Sequence, residues 1–190
     1  LAFKSCAQSQ AELGKHEDAV KNYSKALSLD PSDAVSFKNC GLSLSKLGKY
    51  KEAVDNFRKA VGIDPRDAES IRYLGLCLAK LNKFADSLDF YHRAAELDPS
   101  NAVTFANWGI ALTKLNRLKE SIEKYEKALS IDPNFQSAEV FSNWAFSLAE
   151  LGQHEQSLDK FQKATEMDPE NAENYLNWGL SLVKSRKYAE

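Results

Sequence analysis

Residues 34–67 read AVSFKNCGLSLSKLGKYKEAVDNFRKAVGIDPRD. Two amphipathic runs lie in this stretch, joined by Leu47-Gly48 and closed by Asp64-Pro65. The first places Phe37, Cys40, Gly41, Leu44 and Leu47 on one face at the 3.6-residue helical period. The second places Tyr50, Ala53, Val54, Phe57, Ala60 and Val61 together, and its opposite face (Lys51, Glu52, Asp55, Arg58, Lys59) is an ordinary solvated one. Proline cannot extend a helix, so Pro65 marks its end.

The same design recurs along the chain. Asp-Pro stands at 30–31, 64–65, 98–99, 132–133 and 168–169, which spaces the prolines 34, 34, 34 and 36 residues apart. Short turns divide each unit, Leu-Gly at 13–14, 47–48 and 151–152 and Leu-Asn at 81–82 and 115–116. Asp33, Asp67, Asn101 and Asn171 precede first helices as N-caps, whose side-chain oxygens accept from free backbone N–H groups. The two extra residues before the fifth unit fall at Gln136-Ser137, making Ser137 the cap there and lengthening a turn or a helix. Arg186 to Glu190 reads as the first turn of a second helix in a sixth unit.

Trp108, Trp144 and Trp178, or Cys6, Cys40 and Leu74, fill one place in the first helices, followed by Gly41, Gly75, Gly109 and Gly179. Tyr23, Phe57, Tyr91, Tyr125 and Phe161 fill an aromatic place in the second helices, with Ala60, Ala94, Ala128 and Ala164 three residues later. With the Asp-Pro prolines, this set resembles the tetratricopeptide repeat family along the whole chain. Ala7 and Ala145 depart from it in place of glycine, as do Ser87, Ser121 and Ser157 in place of alanine. The resemblance implies an all-α fold, a right-handed α-solenoid of helix-turn-helix repeats, with five full repeats and one further helix. The expected organisation is one solenoid domain over 1–190, in units 1–33, 34–67, 68–101, 102–135, 136–171 and a partial 172–190.

The resemblance also implies that first helices line a concave groove. Their outward stripes are Val35-Asn39-Leu42-Lys46, Glu69-Tyr73-Leu76-Lys80, Val103-Asn107-Ile110-Lys114, Glu139-Asn143-Phe146-Glu150 and Glu173-Asn177-Leu180-Lys184. A merely solvated face would be charged throughout. This one carries Leu42, Leu76, Ile110, Phe146 and Leu180 in a row, flanked by Asn39, Asn107, Asn143 and Asn177 and interrupted by Tyr73. An asparagine amide both donates and accepts, so such a row can hold the backbone of an extended peptide. It is similar to the ladder in the tetratricopeptide region of O-linked N-acetylglucosamine transferases. The same residues also suit solvation of a concave face or packing between repeats.

Lys4, Asn39 and Arg72 resemble part of the carboxylate clamp of chaperone-binding members, although Gln8 and Leu76 break its pattern. With Lys38 they suggest a preference for acidic segments toward the N-terminal half. The expected partner is therefore a protein or peptide segment. Self-association through uncapped ends exposing Tyr175 and Trp178, or recruitment of substrate for a larger enzyme, are the alternatives.

Net charge is -2, and no apolar run is long enough to span a bilayer, so neither nucleic acid nor membrane insertion is expected. Three cysteines, an odd number, fit free thiols in a reducing compartment such as the cytoplasm. Leu1 in place of Met suggests an excised or processed piece. Neither CxxC, HExxH nor a phosphate-cradling glycine loop occurs, so no cofactor, metal or catalytic role is expected. His16 and His154 take core positions in second helices.

Overall fold

The computed structural model describes residues 2–187, and all its regular elements are helices. They fall in two compact units, residues 1–99 and 100–190. Unit 1 holds three hairpins: α1 (Ala2–Glu12) with α2 (His16–Leu29), α3 (Ala34–Lys46) with α4 (Tyr50–Ile63), and α5 (Ala68–Lys80) with α6 (Phe84–Leu97). Unit 2 holds α7 (Ala102–Lys114) with α8 (Leu118–Ile131), α9 (Ala138–Glu150) with α10 (His154–Met167), and α11 (Ala172–Lys187). In each unit the second helix of a hairpin packs on the first helix of the next, and successive first helices also touch. That is the α-solenoid arrangement, in five hairpins and one further helix among the described residues.

The local signals act where they stand. Asp33 accepts from the backbone N–H of Ser36 at 3.1 Å, and Asn101 from that of Thr104 at 3.1 Å. Asp67, Ser137 and Asn171 cap α5, α9 and α11 in the same way. The hairpin turns need a left-handed residue, and the chain supplies Gly48 (φ 73°), Asn82 (φ 60°), Asn116 (φ 59°) and Gly152 (φ 77°).

Position 186 lies 34 residues after Gly152 and holds arginine, a residue poorly suited to that conformation. Accordingly α11 runs on through Lys187, and residues 186–187 do not begin a second helix. The rest of that expected turn, Tyr188 to Glu190, lies outside the described residues. The extra pair Gln136-Ser137 lengthens only the turn, because α8 and α9 keep the 14 and 13 residues of their counterparts.

Rings from the second helices fill the space beside the small residues. Phe57 and Tyr125 are fully enclosed, and burying such a side chain contributes about 1.5–3 kcal/mol. A methyl group added at Gly41 would stand 2.9 Å from Phe57, and one at Gly109 only 2.5 Å from Tyr125. Gly41, Gly75 and Gly109 are thus seats for rings, while Gly179 has open space beside it. Around them, Tyr23, Leu44 and Leu78 build the unit 1 core, while Trp144, Leu148 and Phe161 are buried in unit 2.

Candidate functional site

In unit 1 the outward stripe is largely spent on packing. Asn39, half-buried, hydrogen-bonds the phenol of Tyr23 on the preceding helix. Burial pushes that phenol above its ordinary pKa, and the asparagine moderates the rise. Where the preceding ring is Phe57, which has no hydroxyl, the equivalent place holds Tyr73, stacked on it at 5.7 Å. The Arg72 guanidinium lies 4.1 Å from the centre of the Tyr73 ring, a cation–π contact. Leu42 packs against the core, and Leu76 is half-buried.

The two lysines expected to attract acidic partners already hold carboxylates. Lys4 Nζ donates to Asp33 Oδ2 at 2.6 Å, and Lys38 Nζ lies 3.2 Å from Asp67 and 3.0 Å from Glu69. Each lysine joins its own helix to the N-cap of the next first helix. Burial alone would raise the Asp33 and Asp67 carboxyls, but the hydrogen bonds from Lys4, Lys38 and the capped serines hold both below their ordinary range. Burial would likewise lower Lys38, yet Glu69 and Asp67 raise it.

In unit 2 the stripe opens onto a depression of about 570 Å³, walled by the end of α7, by α9 and by the start of α11. Asn143, Asn177 and Phe146 line it together, and Phe146 is 39% exposed. Asn107 and Ile110, both half-buried, and the exposed Leu180 lie outside this lining. The remaining charged lining is Glu139, Asp168 and Glu173 against Lys114.

Several polar hydrogens at this depression are already committed. Asn143 Nδ2 donates to the Glu139 carbonyl at 2.7 Å, and the Ser142 hydroxyl donates to Asn174 Oδ1 at 2.5 Å. Asn171 turns its Oδ1 to the N–H groups of Glu173 and Asn174. With its one proton spent, Ser142 can only accept there, while Asn143 keeps one amide hydrogen and its Oδ1. Glu139 and Glu173 stand in the sequence stripes, but Asp168 does not. It belongs to an Asp-Pro pair, which as sequence signals only the end of a helix.

Elsewhere the cysteines and histidines are scattered over separate helices. Cys6, Cys40 and Cys77 are free thiols, and burial pushes Cys40 up to about 11. His154 is buried, while His92 sits 3.7 Å from Glu96 on an exposed face. Among the described residues no three His, Cys, Asp or Glu side chains gather to hold a metal ion, and no helix is long and apolar enough to cross a membrane.

Models of the tetratricopeptide repeat match residues 8–48, 41–102 and 102–135. No curated protein matches the chain in sequence. Solved structures do match it in fold. YrrB, described as a TPR protein with an unusual peptide-binding site, is 26% identical, with a TM-score of 0.75 over 97% of this chain and 90% of that one. A MamA structure labelled AMB-1 is also 26% identical, with a TM-score of 0.73 over 92% of this chain and 95% of that one. MamA from Desulfovibrio magneticus RS-1, 20% identical, reaches a TM-score of 0.78 over 90% and 96%, and at that identity it speaks for the fold alone. The ring seats, capped helices and 34-residue register reach the same conclusion from the residues themselves: the chain belongs to the tetratricopeptide repeat family.

Proposed function

We propose that the chain is a non-catalytic protein-interaction module and that the unit 2 depression holds an extended peptide segment. The observation that carries this reading is the meeting of Asn143, Asn177 and Phe146 on one depression of about 570 Å³. The carbonyl of Asn143 and the amide of Asn177 suit the N–H and C=O groups of a peptide backbone, and Phe146 suits an apolar side chain. YrrB, which shares the fold, is described as having a peptide-binding site. Hydrogen bonds of about 0.5–1.5 kcal/mol each, offset by the entropy of association, put a single segment in the micromolar range. In unit 1, Asn39 and Leu42 would first have to leave their packing partners. An acidic segment there would compete with Asp33 and Asp67 for Lys4 and Lys38, leaving Arg72 its clearest anchor.

The test is selection of peptides from a random twelve-residue display library on the immobilised 190-residue chain, followed by affinity measurement on the selected sequences. The Asn143→Ala/Asn177→Ala variant should bind them at least tenfold more weakly while melting at the same temperature. Equal affinity in the variant, or no selected peptide, defeats the reading.

A second reading is association of copies through α11, favoured by its exposed Tyr175, Leu176, Leu180 and Val183 and by the open space beside Gly179. A mass that doubles with concentration in sedimentation equilibrium would support it, and a constant monomer mass would remove it.

A further inference from the structure

The repeat register allows Lys38 to serve as a template for what unit 2 lacks. Its ammonium meets two positions of the next first helix, the N-cap Asp67 and the second helical residue Glu69. One unit of unit 2 carries the same positions as Ser142, Asn171 and Glu173. The carboxylate at the Glu69 place is kept, the cap is neutral, and the lysine has become a serine. Ser142 is directed elsewhere, since its hydroxyl proton goes to the buried Asn174. Among the described residues no cation pairs with Glu173 or Asp168.

We infer that the ligand supplies this missing cation: the unit 2 groove takes an extended peptide segment carrying lysine or arginine, seated against Glu173 as Lys38 is against Glu69, with an apolar neighbour on Phe146. The inference rests on the peptide-groove reading above and names the class of segment. Two independent features favour a cationic occupant over an acidic or neutral one. Glu139, Asp168 and Glu173 outnumber Lys114 along the lining, so a basic segment is drawn in and an acidic one repelled. The hydrogen-bond polarity of Ser142 points the same way, because its one hydroxyl proton is spent on Asn174 and it can only accept from a ligand. Ammonium and guanidinium groups only donate. Bonds from them to a carboxylate are roughly twice as strong as neutral ones.

The library selection above also tests this inference. Selected twelve-residue peptides are expected to carry lysine or arginine at least fivefold more often than aspartate or glutamate. Their affinity should fall about tenfold in the Glu139→Gln/Glu173→Gln variant and decline with added salt. Glu69→Gln, whose carboxylate Lys38 already holds, should leave it unchanged, and thermal melting should show all variants folded. Selected peptides that are acidic or uncharged, or basic peptides indifferent to Glu139→Gln/Glu173→Gln, overturn the inference. If such peptides still depend on Asn143 and Asn177, the groove reading survives that failure. Peptides indifferent to the asparagines as well, or no peptides at all, overturn both.

Discussion

Unit 1 and unit 2 share a register but join their neighbouring repeats by different chemistry. In unit 1 the links across repeats are charged, Lys4 to Asp33 and Lys38 to Asp67 and Glu69. In unit 2 buried hydroxyl networks reach across repeats through Thr113–Ser147 and Ser157–Ser181, beside the Ser142–Asn174 bond at the stripe. Thr113 donates to the Gly109 carbonyl at 3.1 Å and meets Tyr125 Oη and Ser147 Oγ at 3.0 Å each, and Ser157 meets Ser181 at 2.7 Å. The place of Thr113 is held in unit 1 by Ser45, whose cross-repeat partner is the Cys77 sulfur at 3.1 Å. A thiol is a weaker hydrogen-bond partner than a hydroxyl. Moving the links from charged side chains at the stripe to hydroxyls in the core changes what remains available. In unit 1 the carboxylates Asp33, Asp67 and Glu69 are paired across repeats, whereas among the described residues of unit 2 no cation pairs with Glu173.

The largest expected effect falls on the unit 2 core. Gly109→Ala would drive a methyl to 2.5 Å from a Tyr125 ring that is stacked on Trp144 and tied through its hydroxyl to Thr113. Urea unfolding should show a loss of about 2 kcal/mol, in the range for overpacking. Gly75→Ala, with 3.1 Å to Tyr91, should lose clearly less. Equal losses would mean that the two ring seats are equally yielding, and the contrast between the units would weaken.

Next comes Thr113→Val, which keeps shape and removes the hydroxyl that Tyr125 and Ser147 share. Leaving buried polar groups short of a partner costs about 1–3 kcal/mol, so a loss of about 1–2 kcal/mol is expected by the same measurement. Ser45→Ala should cost under about 1 kcal/mol, its partner being a sulfur.

The smallest effect, Lys38→Met, tests the charged links. The pair is partly exposed, with side chains 21% and 22% accessible, and solvent screening keeps such a bridge at about 0.2–1 kcal/mol. Asp67 titrates below its ordinary value in the folded protein. Its stabilisation is therefore full above the unfolded value of about 3.9 and is lost as pH falls through the lower folded one. The gap between wild type and Lys38→Met should be present at neutral pH and close only as pH falls through the lowered folded value of Asp67. A gap that persists in acid would assign the effect to packing of the lysine stem.

Most of the fold is legible in the sequence because its signals are local. A cap such as Asp33, a turn residue such as Gly48 and a stop such as Pro65 each act within a few residues. The ring seats are legible too, since Gly41 and Phe57 recur at one spacing. The candidate site is less so. Whether an asparagine faces a ligand depends on what else holds the ring beneath it. Asn39 and Asn143 both follow a tyrosine, but the Tyr125 hydroxyl is taken by Thr113 and Asn143 turns a proton to its own helix, so two similar stripe positions diverge. The pairing of Lys38 with Glu69 spans 31 residues and follows from stacking, which no single helix wheel displays. Phe146 and Asn177 were recognisable on their stripes, but the acidic wall includes Asp168, a residue that locally only ends a helix.

The loop at 133–137 carries one more consequence. It absorbs Gln136-Ser137 while α8, α9 and the Ser137 cap keep their ordinary form. In a repeat array, length added within a helix would rotate everything after it out of phase, but length added here is absorbed by the connection. Closing a longer loop is inexpensive, about 0.6 kcal/mol for each doubling. This connection is a joint at which a tag, a reporter or a further recognition loop can be spliced in while the helices on either side keep their phase.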